Sequence, residues 1–150
     1  MKFEKAIKQT KFESEQQKAI LNVLYTANWL RDQQGDIFKP FSILPQHFNV
    51  LRILRGQHPK PVSPGDIKEV MIDKNNDVTR LIDKLVKMEL VSRHLCAENR
   101  RKMDVHITSK GLKLLEKMDS PLKESFKDIR KRLSEKEANI LSDLLDKLRD

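Results

Sequence analysis

Two short stretches of the sequence carry side chains able to read a polyanion. Asn76, Asp77, Thr79, Arg80 and Lys84 fall on the polar side of a segment whose apolar positions, Val78, Leu81, Ile82 and Leu85, recur at helical spacing. A helix that lies in a groove of nucleic acid must hide one face and show short polar and cationic groups on the other. Here Arg80 can offer a bidentate fork to guanine, and Asn76 can offer one to adenine. Further along, Arg100, Arg101 and Lys102 form a cationic cluster between two runs of alternating apolar residues. Either stretch alone describes an ordinary solvated surface. Their order along the chain gives them meaning together.

Charge supports that pairing. The 150 residues contain 30 Lys and Arg against 22 Asp and Glu, a net charge of +8. Residues 39–102 hold thirteen bases and seven acids, so six of the eight net charges lie there, and no acid occurs between Asp36 and Asp66. A basic excess confined to one segment is the electrostatic footprint of a polyanion-binding module.

Other reactive side chains are few. The single cysteine, Cys96, cannot form an intramolecular disulfide, and no CxxC pair suggests zinc. Its position in a strand, away from a helix N-terminus, reads as an inert thiol. If the strands flanking the basic turn pair so that facing residue numbers sum to 200, His94 opposes His106 and Cys96 opposes Asp104. That would gather four metal-type ligands on one face, against the plainer expectation of no metal and no cofactor. Tyr25, Trp29, His47 and Phe48 mix apolar surface with hydrogen-bonding tips and are candidates for lining a small-ligand cleft. The ordinary alternative is that Trp29 and Phe48 are core and His47 is surface. There is no Gly-rich phosphate loop, no GxSxG, no HExxH and no carboxylate pair in an apolar setting, so an enzyme is not expected. No apolar run approaches the roughly 18 residues of a membrane span, and the N-terminus lacks the pattern of a signal peptide. A cytoplasmic protein is the expectation.

The elements that must position these residues are mostly helical. A capping-box spacing at Ser14 and Gln17 opens a helix through Ala19, Ile20, Val23, Leu24, Ala27 and Leu30, expected to end at Gly35. Phe3, Ile7 and Phe12 precede it as a short helix or arm that needs an apolar place to dock. Pro45 at a first helical position starts a second helix through Phe48, Leu51, Ile53 and Leu54, ending before Gly56. A stiff Pro-rich connector follows, then a short helix from Ser63 with Ile67, Val70 and Met71 inward, and then the helix from about Asp77 to Met88. The apolar period now changes from 3.6 to 2: Leu95 and Ala97, then Met103, Val105 and Ile107, predict a two-stranded hairpin with a basic tip. From Thr108 a long helix carries a heptad-like seam, Leu112, Leu115, Leu122, Phe126, Ile129 and Leu133, with a kink or break expected near Ser120 and Pro121. Ser134 and Glu137 form another capping box, leading Ala138, Leu141, Leu144, Leu145 and Leu148 to the C-terminus.

Three short helices and then a hairpin with a cationic tip is the order of a winged helix-turn-helix, in which the last helix enters a major groove and the hairpin reaches the adjacent minor groove. The fold class is therefore mainly α (α+β), with a two-stranded wing flanked by N- and C-terminal helices. In the runs Asp77-Val78-Thr79-Arg80-Leu81-Ile82-Asp83-Lys84-Leu85, Leu90-Val91-Ser92-Arg93, Asn99-Arg100-Arg101 and Val105-His106-Ile107-Thr108-Ser109-Lys110-Gly111, the sequence resembles the MarR family of bacterial transcription regulators. The resemblance implies a homodimer, usually a repressor, released from DNA by a small, often phenolic ligand or by cysteine oxidation. It makes Asp77 to Lys84 the recognition helix and Arg101 the wing arginine. Two positions depart from the family pattern. Asn99 stands where Asp is common, which weakens any ion pair steadying the wing arginine, and Glu89 stands where Gly often ends the recognition helix. If the backbone is left-handed there, Glu89 bears strain that Gly would not.

The helices outside the minimal winged helix carry apolar seams that must be buried, and a second copy of the chain would bury them. The expected organisation is one compact domain overall, with residues 1–38 as N-terminal dimerisation helices, 39–111 as the DNA-binding region and 112–150 as C-terminal dimerisation helices. Two-fold symmetry then calls for an inverted-repeat operator with half-sites about 10 bp apart. The competing class is a winged-helix module that binds protein or RNA rather than specific duplex DNA.

Overall fold

The computed structural model describes residues 1–99 and 102–150. The chain divides into two compact units, Met1–Pro45 and Gln46–Asp150.

The first unit is built on one long helix. A short helix α1 (Phe3–Ala6) precedes α2 (Glu15–Phe38), and a single 3-10 turn (Lys39–Phe41) follows. Ser14 caps α2 by accepting the Gln17 N–H at 3.0 Å, while the Gln17 side chain accepts from the Glu13 N–H at 2.9 Å. The reciprocal bond of the expected box is thus displaced by one residue. The N-terminal arm docks through Phe3, which is buried against Phe12 and lies edge-on to Tyr25 with ring centres 5.7 Å apart. Lys18 and Glu4 join at 2.6 Å across the same contact. Helix α2 does not end at Gly35. A glycine costs a helix interior only about 1 kcal/mol, and the buried Phe38 lies one turn further on.

From its second residue on, α3 (Pro45–Gln57) belongs to the second unit, where it, α4 (Pro64–Val70) and α5 (Val78–Lys87) precede a two-stranded antiparallel sheet, β1 (Val91–Leu95) and β2 (Met103–Ile107). Then come α6 (Ser109–Ser125), α7 (Lys127–Arg132) and α8 (Glu135–Arg149). The core draws on every early element: Val50, Leu51, Leu54, Ile67, Ile82, Leu85, Val105, Leu115 and Met118 are all fully buried. Ser63 caps α4, and the chain turns between α4 and α5 where Asn49 of α3 accepts the Ile72 N–H at 2.9 Å. That bond fixes the turn of the helix-turn-helix. Val70 is exposed, contrary to its expected inward position, because α4 ends there and Met71, already extended, takes the buried site.

The wing differs from expectation in register and in reach. Facing residues are Val91 and Ile107, Ser92 and His106, Arg93 and Val105, His94 and Asp104, and Leu95 and Met103, a sum of 198 rather than 200. Alternation fixes only the parity of the sum, and the turn decides its value. The connector before α4 adds a bridge, with Val62 and Val105 exchanging both backbone bonds at 3.0 and 3.1 Å. This burial holds only the root of the hairpin. Leu95 is 62% exposed and Ala97 is exposed, so their apolar pattern continues beyond the core it was expected to face.

Helix α3 likewise passes Gly56 to reach Gln57. Helix α6 continues through Pro121 and breaks at Phe126, where Arg130 Nη2 donates to the Lys123 carbonyl at 2.7 Å. A proline removes one donor on an exposed face, which a helix tolerates. A side chain serving a terminal carbonyl makes the actual stop. The capping box of Ser134 and Glu137 forms as the sequence predicts. Neither α7 nor α8 contains a buried residue, and Ile140, Leu141, Leu144 and Leu148 are open to solvent.

Candidate nucleic-acid interface

Helix α5 has the two-sided character its sequence predicts. Val78, Leu81, Ile82 and Leu85 are buried, while Thr79, Arg80 and Lys84 are exposed, with the Arg80 side chain 87% accessible. Asp77 occupies the cap: its Oδ1 accepts the Arg80 N–H at 3.2 Å, and its Oδ2 lies 3.3 Å from Arg80 Nε. Among the expected base readers, Asp77 therefore has a structural duty of its own, starting the helix and steadying the arginine beside it. Asn76 is half-buried and donates from Nδ2 to the Asp73 carbonyl at 3.0 Å, so its amide is partly committed.

The wing lies beside this helix. Arg93 on β1 pairs with Asp83 on α5, both partly exposed, and so couples the hairpin root to α5. Sequence spacing gave no sign of this pairing, since Asp83 had no assigned role on the polar face. Toward the tip, the Cys96 N–H donates to the Lys102 carbonyl at 2.9 Å and the Lys102 N–H to the Asn99 carbonyl at 2.8 Å. Lys102 is exposed. Arg100 and Arg101, including the expected wing arginine, lie outside the described residues.

A junction at the far end of α5 holds the wing and α6 together. Glu89 has φ of 60°, the left-handed conformation in which Gly would be unstrained. Its carbonyl accepts from Thr108 Oγ1 at 2.8 Å, and its carboxylate sits 2.9 Å from Lys110 Nζ, which holds that carboxyl below its ordinary pKa. Thr108 also donates its N–H to the Leu90 carbonyl at 3.1 Å and caps α6 by accepting the Gly111 N–H at 3.0 Å. Gly111 is required by space: a Cβ there would lie 2.3 Å from the Leu90 carbonyl oxygen and 2.8 Å from Ile107 Cγ1.

The other expected sites fare differently. With the register at 198, His94 faces Asp104, His106 faces Ser92, and Cys96 lies beyond the ladder. The two imidazole centres are 6.3 Å apart, and no trio of potential metal ligands assembles among the described residues. The proposed ligand set His94, Cys96, Asp104 and His106 is thus not brought together. His47, offered as surface in the plainer reading, is 4% exposed, and burial, followed by the Lys84 charge, lowers its pKa. Phe48 is half-buried rather than core, with the Arg52 guanidinium 5.9 Å from its ring centre. Tyr25 and Trp29 belong to the first unit, where both remain substantially exposed.

Comparison with known proteins meets this geometry. The MarR family model matches residues 43–103, from just before α3 through β1 to the first residue of β2. The crystal structure of a MarR transcription factor from Planctomyces limnophilus is 32% identical over 91% of this chain and 98% of its own, with a TM-score of 0.70. The chain belongs to the MarR family. The HTH-type transcriptional regulator PecS of Dickeya dadantii is 25% identical over 128 residues, 84% of this chain and 77% of PecS. The S. aureus MepR–DNA complex shares the fold at a TM-score of 0.76, with 20% identity over 92% of this chain and 97% of that one. In family and fold this MarR protein is a transcription regulator with a winged helix, not an enzyme. No helix among the described residues is long and apolar enough to cross a membrane.

Proposed function

We propose that this MarR protein is a homodimeric, cytoplasmic repressor that binds an inverted-repeat operator through α5 and the wing and is released by a small ligand. The observation that carries the DNA reading is α5 itself, with one face wholly buried and Thr79, Arg80 and Lys84 presented on the other beside a wing tied to it through Arg93 and Asp83. Base contacts come from Arg80 and Asn76 in the major groove, with Thr79, Lys84 and the basic turn Arg100, Arg101 and Lys102 contributing phosphate and minor-groove contacts. Asp77 contributes by positioning Arg80.

The dimer reading rests on apolar surface left uncovered: Ile20, Val23 and Leu24 on one face of α2, and Ile140, Leu141, Leu144 and Leu148 on one face of α8. Contiguous apolar exposure of this kind marks an association surface, and a second copy offers the same stripes. Residues 1–38 and 112–150 are then the dimerisation segments, and 39–111 the DNA-binding region.

The test is fluorescence anisotropy with duplexes selected from random-sequence DNA, alongside sedimentation of the free protein. Selected sites should be inverted repeats with half-sites about 10 bp apart. The logarithm of affinity should fall linearly with that of salt, with a slope of about 0.9 per phosphate contact. Sequence-indifferent micromolar binding to every duplex and RNA would instead indicate a general interaction module. A monomer in sedimentation at micromolar concentration would remove the operator symmetry.

A further inference from the structure

The outer face of the wing carries two imidazoles and a carboxylate. In the observed register His94 stands opposite Asp104, and Ser92 stands opposite His106. Residues two apart on a strand, or facing each other across a ladder, share one side of the sheet. Val91, Val105 and Ile107 on the other side are buried, so His94, Asp104 and His106 lie on the side turned away from the core. His94 is exposed, and the other two are half-buried. The imidazole centres are 6.3 Å apart, with their planes inclined by 58°. Among the described residues, no hydrogen bond or ion pair engages the side chain of His94, Asp104 or His106.

We propose that His94 and His106 form a two-imidazole chelate for a late first-row divalent ion of the zinc, nickel or copper type. Imidazole suits these ions, whereas magnesium and calcium take oxygen. A ring nitrogen lies about 1.1 Å from the centre of its ring and about 2.0–2.1 Å from a bound zinc. Two rings on one ion therefore have centres about 5 Å apart at a tetrahedral angle and about 6.3 Å apart with the bonds in line. The observed spacing is the open limit of that range, and a side-chain rotation at the exposed His94 closes it. Asp104, across the ladder from His94, offers a carboxylate on the same side, and water completes the shell. Cys96, beyond the ladder, is not a ligand. An ion held here cross-links β1 and β2 between the buried root of the hairpin and its exposed tip, and it adds positive charge to the wing. The inference rests on neither the operator reading nor the small-ligand reading.

The experiment is calorimetry on the full, tag-free chain without DNA, titrated with zinc chloride and, as control, magnesium chloride. Amide NMR of the wild-type chain locates the zinc. The expected result is one zinc per chain, bound at least a hundredfold tighter than magnesium, with shifts centred on His94 and His106. His94→Ala and His106→Ala should each weaken zinc at least tenfold, and Asp104→Asn should weaken it severalfold. Cys96→Ser and His58→Ala should leave it unchanged. Unaltered zinc affinity in either wing-histidine variant, an equal loss in Cys96→Ser, or wild-type shifts centred on His47 or His58 would each overturn the assignment. Because no DNA enters the assay, its failure leaves the operator reading standing, and failure of the operator reading leaves this one standing.

Discussion

Replacing Gly111 by alanine sets two known effects against each other at one residue. Helix propensity favours alanine by about 1 kcal/mol in a helix interior. Opposing it, the new methyl would sit 2.3 Å from the Leu90 carbonyl oxygen, 2.8 Å from Ile107 Cγ1 and 3.3 Å from the Leu90 carbonyl carbon. Two of these atoms are backbone and cannot swing aside. The oxygen also accepts the Thr108 N–H at 3.1 Å, so retreat by the ångström needed stretches that bond. Overpacking costs about 1–3 kcal/mol, and a weakened hydrogen bond adds about 0.5–1.5 kcal/mol. After the propensity gain, Gly111→Ala should destabilise by about 0.5–3.5 kcal/mol. The assay is urea denaturation at a fixed protein concentration, so that any dimerisation linkage is constant. Gly35→Ala serves as control, since that glycine also lies within a helix and a Cβ there meets nothing within 4 Å. It should stabilise by about 0.5–1 kcal/mol. Equal or same-signed shifts in the two variants would refute the packing argument for the junction of β2 and α6.

Further outcomes follow from other residues. Glu89→Gly relieves a left-handed backbone and should raise stability by about 0.5–1 kcal/mol despite losing the exposed Lys110 pair, which contributes little; a lowered urea midpoint would contradict this. In anisotropy titrations, Arg80→Ala should cost about 1–3 kcal/mol and relax specificity at one position, whereas Lys84→Ala should weaken all sequences alike and reduce the salt slope by about one. The folded-state pKa of His47 is lowered, so the unfolded chain takes up its proton first as pH falls. The contribution of His47 is present above the ordinary histidine pKa and is lost as pH drops through the lower folded value. Denaturation midpoints should therefore fall on acidification below about pH 6.5, and His47→Gln should make that fall shallower. An unchanged profile in the variant would remove His47 from the acid response.

Helix α5 was legible because two local signals agree there, an apolar stripe and a polar face. Each can be read within a dozen residues; the stripe forms as expected, while Asp77, read as a base contact, turns out to be the cap. The wing was legible in kind but not in register, since sums of 198 and 200 both keep odd residues on one face and only the turn distinguishes them. Glycine and proline were weak guides to helix ends. Gly35, Gly56 and Pro121 all lie within helices, at positions where the chain gains more from continuing than the local penalty removes. Among site residues, Asp77 was read as a base contact when its side chain is occupied with Arg80. Pairings between distant positions, Asp83 with Arg93 and Glu89 with Lys110, follow from the packing of one element on another, and no periodicity announces them. The burial of His47 is of the same kind.

The bonds that Thr108 makes to Glu89 and Leu90 turn the end of α5 into a fulcrum. Because the first turn of α6 is capped by the same threonine, a change in the pitch of α6 would strain these bonds unless α5 turned with it. Over the roughly 15 Å of that helix, a tilt of about 5° moves Thr79 and Arg80 by about 1.3 Å, more than the 0.5 Å spread of ordinary hydrogen-bond lengths. Small angular errors at one end are thereby converted into lost contacts at the other. On the proposed reading of α5, leverage of this sort would make the fit to a base sequence depend on residues that never approach a base.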